Sequence, residues 1–362
     1  MAEMTPSLGA KNLLVNCAEA KPGDRLLIAY EPSAHGYFDD DAHDCVVREA
    51  ARIGLAVDAV DVGFDADNPR LSEELRQRMQ GFDIILFLAR LGDQLRFSDM
   101  PPGKKVIVSF ALNAHLLGTG FGNAHHAAFL DLKNETNSVI SRADEVRITC
   151  PAGSDVVGRS DIVLDPESDT TIMRFPMSVF TPVPATGFSG RIALPGFLTG
   201  TGSRYYDDYT VEFDGPVHAL LSDGRLAGFE GDPLDVERAN AHYDRVSRLF
   251  GIDRNFVHSW HAGIHPGCGF PWDARSGYER WGGVAFGNPR ILHFHTCGAY
   301  APGEISWNVI DPTIEVDGVK YWERGIFMAN ILPGGADILS RYPCAASLFE
   351  HPDRDIGLSA AA

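Results

Sequence analysis

Five of the chain's thirteen histidines fall between Phe256 and Thr313, namely His258, His261, His265, His293 and His295. They form two groups, H-S-W-H-A-G-I-H-P-G (258–267) and L-H-F-H-T-C-G (292–298). The second group is a short apolar run with histidines two apart, and in a strand such a pair lies on one face. Imidazole is the commonest protein ligand for zinc, iron and other divalent transition metals. A pair on one strand face plus a third donor from elsewhere makes an open catalytic site. The third-donor candidates nearby are His261, His265, Glu279, Glu304 and Asp311. The alternative is that hydrogen bonds to backbone or carboxylate satisfy both rings.

The spacing of His258, His261 and His265 resembles one helix face, but Trp260, Gly263, Pro266 and Gly267 argue against a helix there. That segment reads as a strand or strand end running into a turn. One of its three histidines is expected to ligate, the others to support it or face solvent. Trp260, Trp272, Trp281, Tyr300 and Trp307 cluster in the same stretch, as lining for an aromatic ligand or as core.

Other segments carry less chemistry. Gly118-Thr119-Gly120-Phe121-Gly122 lacks the G-x-G-x-x-G spacing of a dinucleotide loop and reads as a turn into a helix. His125 and His126 point about 100° apart on that helix, so they read as surface residues rather than joint ligands. Asp39, Asp40 and Asp41 sit where a helix starts, complementing its dipole.

Elements must position the histidines. Arg25–Tyr30, Leu55–Val62, Asp83–Leu88, Lys105–Phe110 and Glu145–Cys150 read as strands. Asp40–Ile53, Ser72–Gln80 and Ala124–Arg142 read as helices between them. This rhythm predicts a mostly parallel sheet with helices on its faces over residues 1–150. After Pro151 glycine and proline become frequent, and short strands at 210–212, 218–221, 225–230, 290–295, 307–310 and 314–316 are broken by one helix, Asp232–Phe250. The fold class expected is an α/β N-terminal domain followed by a β-rich α+β domain over 151–362.

Hydrophobic residues make up 44% of the 362, enough for a sizeable core, and the net charge is −18. Such acidity disfavours nucleic acid and anionic membrane as partners. The six cysteines show no C-x-x-C, the N-terminus shows no signal peptide, and no apolar stretch nears the roughly 20 residues of a membrane span. A cytoplasmic protein with reduced thiols is expected.

Several segments, weak singly, resemble a group of metal enzymes that includes the thermophilic-type (leucyl aminopeptidase T-like) aminopeptidases and the iron-dependent 2,5-dihydroxypyridine 5,6-dioxygenases. N-L-L-V-N-C-A-E-A-K-P-G-D-R-L-L-I (12–28) is similar to the family's opening, and A-D-E-V-R-I-T-C-P-A-G-S-D-V (143–156) to its strand and turn. S-D-G-R-L-A-G-F-E-G (222–231), H-A-G-I-H-P (261–266), L-H-F-H-T-C-G-A-Y (292–300) and D-P-T-I-E-V-D-G (311–318) follow in the family's order.

The resemblance implies that His261 matches the first iron-ligating histidine of the dioxygenases and His293 a metal-binding histidine of the aminopeptidases. Glu279 is the counterpart offered for a glutamate ligand. The family's later H-x-D falls at Ser306-Trp307-Asn308, where both ligand types are missing. Either His295 replaces a lost ligand beside His293 and His261, or the site has given up its metal. Relocation is the preferred reading. The expectation is a mononuclear divalent metal enzyme, Fe(II) favoured and zinc or manganese open, held by His261, His293 and His295. Its substrate would be a small hydroxylated aromatic or related metabolite. Glu304, Glu279 and His265 are the candidate catalytic groups. A metal-dependent hydrolase and a metal-free binding protein are the alternatives, and the resemblance implies a homo-oligomer.

Overall fold

The computed structural model describes residues 3–160, 162, 164 and 170–358. Five parallel strands make the first sheet, in the spatial order Ala56–Asp61, Arg25–Tyr30, Ile84–Leu88, Lys105–Ser109, Met173–Phe175. The apolar runs seen in the sequence are its central strands, and all five residues of Ile84–Leu88 are buried. Each flanking element has its own local cause. Lys21-Pro22-Gly23-Asp24 turns on Gly23 at φ +94° before the strand Arg25–Tyr30. Asp39 precedes the helix Asp40–Ile53 in extended conformation without a side-chain capping bond, and the helix carries Asp40 and Asp41 in its first turn and stops at a left-handed Gly54.

Two antiparallel sheets make up the rest. One has eight strands. The other has six, in the order Val211–Glu212, Phe197–Gly200, Ile305–Ile310, Ile291–Thr296, Val257–Ala262, Val183–Pro184. The predicted fold class is therefore the observed one, with one difference of membership. Val146–Thr149 forms as a strand but pairs antiparallel with Asp155–Gly158 and Thr313–Val316 in the eight-stranded sheet. The fifth parallel strand is Met173–Phe175 instead. A short apolar strand advertises burial and not its partner, so the sequence could not make that choice.

The helix predicted at Asp232–Phe250 runs from Pro233 to Phe250, with Asp232 accepting from Leu234 N–H as its cap. His126 departs from expectation. It opens the helix His126–Ile140 but is 4% exposed, and burial lowers its pKa to about 4. All six cysteines are free, and no described helix is long and apolar enough to cross a membrane.

Candidate metal centre

The six-stranded sheet sorts its residues by alternation. Trp260, Phe294 and Trp307 point to one face, are fully buried and join the largest apolar core, where Phe180 and Phe188 meet the Trp260 ring edge-on. The opposite face carries Ser259, His261, His293, His295, Ser306 and Asn308. Register makes this face a grid. His261 pairs with His293, and His293 with Asn308, while Ser259 pairs with His295, and His295 with Ser306. Directly opposed residues on antiparallel strands hold their Cβ atoms about 5 Å apart. Two histidines on one strand and a third on its neighbour are thus forced together by pairing alone.

Their ring nitrogens converge. His261 Nε2 lies 2.7 Å from His293 Nε2 and 3.2 Å from His295 Nε2. One ligand atom from each of the three falls within 4.8 Å of the others, and all three residues are buried. Two of the rings are held from behind. His261 Nδ1 donates to the Phe180 carbonyl at 2.9 Å, and His295 Nδ1 donates to Glu304 Oε1 at 3.0 Å. A carbonyl only accepts, and so does a carboxylate, so each Nδ1 carries a proton, and in the neutral ring each Nε2 then presents a lone pair to the shared centre. Two lone pairs 3.2 Å apart repel unless a cation lies between them.

His293 differs. Its Nδ1 reaches no partner among the described residues, and its ring stacks on Phe286 at 4.3 Å. Burial first, then the neighbouring His261 and His295, holds its pKa well below the ordinary histidine value, so it too is a neutral donor.

Glu304 is 5% exposed. Burial alone pushes its carboxyl up, but His295, Arg96 and His258 outweigh that and hold it below the usual range. Its second oxygen meets Arg96 Nη2 at 3.2 Å, and Arg96 in turn pairs with Asp93 at 3.5 Å. Arg96 and Asp93 were not singled out from the sequence. Arg96 lies 208 positions from Glu304 and belongs to no motif, so no local signal could have found it.

The remaining candidates sit elsewhere. His265 stacks flat on Phe129 at 3.8 Å and accepts Gly267 N–H at Nδ1, outside the cluster of three nitrogens. Burial drives its pKa down to about 3. Glu279 accepts from Arg90 Nη1 and from Arg204 N–H in a separate polar pocket. Asp311 is bound by Arg290. His258 lies at a bulge in its strand, beside the Tyr300 ring. Of the clustered aromatics, Trp260, Trp281 and Trp307 are core, while Trp272 and Tyr300 are exposed. Ser306 Oγ donates to Asn308 Oδ1 at 3.0 Å, leaving Asn308 Nδ2 buried with no partner.

Fold and site together define a protein in which an α/β layer and antiparallel sheets surround a buried three-histidine cluster suited to a metal ion. The structure of 2,5-dihydroxypyridine dioxygenase from Pseudomonas putida shares this fold, with a TM-score of 0.59 at 11% identity over 91% of this chain and 98% of that one. AmpT from Thermus thermophilus matches with a TM-score of 0.49 at 10% identity, over 89% and 98% of the two chains. Neither a protein-family profile nor a curated sequence matches the chain.

Proposed function

We propose that the chain is a mononuclear metal-dependent enzyme, dioxygenase-like, acting on a small hydroxylated aromatic or related metabolite. The observation that carries this reading is the convergence of three imidazole Nε2 atoms, two of them held as lone-pair donors from behind. His261, His293 and His295 would hold the ion. A divalent metal with three neutral ligands would keep its full double charge, which suits an anionic chelating substrate; Fe(II) would supply oxygenation chemistry, whereas zinc or manganese would supply an activated water.

The chain's own groups have separable tasks. Glu304 keeps the proton of His295 on Nδ1 and, through Arg96, keeps its own charge in a dry site. Phe286 fixes the plane of the His293 ring. Asn308 Nδ2, with Ser306 fixing the amide from its other end, is the buried donor available to an oxygen of the substrate. Hydrolysis needs a free general base, and the two carboxylates proposed for that task are engaged, Glu304 by His295 and Arg96, Glu279 by Arg90. This favours oxygenation over hydrolysis.

The test is elemental analysis of the full chain purified without chelator, followed by oxygen uptake on hydroxypyridines and catechol-type acids. About one iron per chain with substrate-dependent uptake supports the reading. Zinc or manganese with hydrolysis of amide substrates replaces it with the hydrolase. Protein that neither retains nor takes up a transition metal rules out both.

A further inference from the structure

A second site stands apart from the histidine cluster. A cavity of about 320 Å³ opens between the 35–37 segment, Arg90, Arg204 and the helix Tyr278–Ala285. Its deep end is taken up by ion pairs. Arg90 is 3% exposed and ion-paired to Glu31 and Glu279, and its guanidinium lies over the Phe64 ring at 3.2 Å. Glu279 spends both oxygens, one on Arg90 and one on Arg204 N–H. The mouth is different. Arg204 Nε and Arg280 Nε are buried atoms with no hydrogen-bond acceptor. Arg204 Nε comes only within 3.7 Å of a Glu279 oxygen that Arg90 already holds, and Arg280 spends Nη2 on Asp39 at 3.4 Å.

A guanidinium presents its donors in a planar fork that fits a carboxylate. Both side chains keep surface at the cavity, Arg204 at 39% and Arg280 at 31% exposure, so two planar forks at one pocket mouth form an anion clamp, in a protein whose net charge of −18 otherwise repels anions. The wall beside the clamp is aromatic. Trp272 and Phe270 meet edge-to-face at 5.1 Å, with Tyr37 lining the same cavity. Trp272, backed by the buried Phe270, offers a surface for a flat ligand, which a bare inorganic oxyanion would leave unused.

We infer that this pocket binds a small planar aromatic carboxylate, with its carboxylate between Arg204 and Arg280 and its ring against Trp272. The inference does not rest on the metal reading, because no residue of the pocket touches the three histidines.

Trp272 makes the test direct. It is 36% exposed, whereas Trp260, Trp281, Trp307 and Trp322 are fully buried, so a ligand in this pocket reports through one tryptophan. The full chain is titrated with benzoate, with neutral benzamide and inorganic phosphate as controls, reading tryptophan emission. A saturable change with benzoate is expected, absent in Trp272→Phe. Arg280→Gln and Arg204→Gln should each weaken binding about ten-fold, the loss of one charge-assisted contact. Arg280→Lys, which keeps the charge but not the fork, should fall between. No saturable signal with benzoate overturns the proposal. So does benzamide binding as tightly as benzoate, phosphate binding more tightly, or an unchanged affinity in both glutamine variants. Chelator-treated protein should bind benzoate equally well, which separates this outcome from the fate of the metal reading.

Discussion

Glu304 Oε1 lies 3.0 Å from His295 Nδ1, and its other oxygen lies 3.2 Å from Arg96 Nη2, with all three side chains at most a tenth exposed. This arrangement sets what His295 can be. A buried carboxylate behind an imidazole fixes the tautomer and orients the ring toward whatever its other nitrogen binds. Arg96 prevents Glu304 from taking the proton for itself by stabilising its charge.

Glu304→Gln tests the arrangement. The amide keeps the shape and loses the charge, so His295 can turn over to its other tautomer. Affinity for a divalent transition metal should fall by about 10- to 100-fold, the usual effect of removing such an outer partner. Competition against a chromophoric chelator measures it, and unchanged affinity would mean that Glu304 serves Arg96 alone.

The unpartnered Nδ1 of His293 leads to a prediction about the metal-free protein. A buried polar atom with no hydrogen bond costs about 1–3 kcal/mol. His293→Leu removes that atom and keeps an apolar contact with Phe286, so the metal-free variant should be as stable as the wild type or more so. The thermal midpoint of the wild type should rise on adding metal, because only the folded chain brings the three nitrogens together. The variant should show no rise. Equal metal-induced shifts in both proteins would exclude His293 as a ligand.

These two residues also mark how far the sequence carries. Alternation placed His293 and His295 on one face, because a strand's period of two is a local property. The pairing of His261 with His293 was not local. It depends on the register between two strands, which are joined through a turn and the helix Tyr278–Ala285. The same limit explains Val146–Thr149, recognisable as a strand but not assignable to a sheet, and His126, whose burial comes from neighbours distant in sequence. Arg96 behind Glu304 is the extreme case. Its type and neighbours say nothing about a partner 208 positions away.

His265 predicts acid sensitivity. Burial lowers its pKa to about 3, whereas an unfolded histidine titrates near 6.5, so its folded value is depressed. The associated stability is complete above about pH 6.5 and is lost as pH falls toward 3, because only the unfolded chain takes up the proton. Between those limits the loss is about 1.4 kcal/mol per pH unit. His126 and His242, each lowered to about 4 by burial, add to it over a narrower window. His265→Asn keeps an acceptor for Gly267 N–H but loses the stack on Phe129. At neutral pH it should be less stable by about 1 kcal/mol. At about pH 5 it should equal or exceed the wild type, since it escapes roughly 2 kcal/mol of proton-linked loss. Urea midpoints across that range give the answer, and parallel curves would show that His265 takes no part in acid unfolding.

Asn308 allows the sharpest test of whether the polar face of the sheet is built around a cation. It stands opposite His293 in the register, fully buried, with its Oδ1 held by Ser306 and its Nδ2 unpartnered. Asn308→Asp places a carboxylate there with almost no change of shape, and Ser306 can still donate to it. In metal-free protein that charge is buried with a single hydrogen bond, and the variant should lose about 2–4 kcal/mol relative to the wild type. With a divalent metal held by the three histidines, the same carboxylate faces a net double charge a few ångströms away and becomes favourable. The metal-induced rise in thermal midpoint should therefore be larger in Asn308→Asp than in the wild type, although the variant begins lower. Calorimetry with and without metal separates the two contributions. An equal deficit under both conditions would place Asn308 beyond the reach of the ion, and with it the idea that this rung of the sheet belongs to the site.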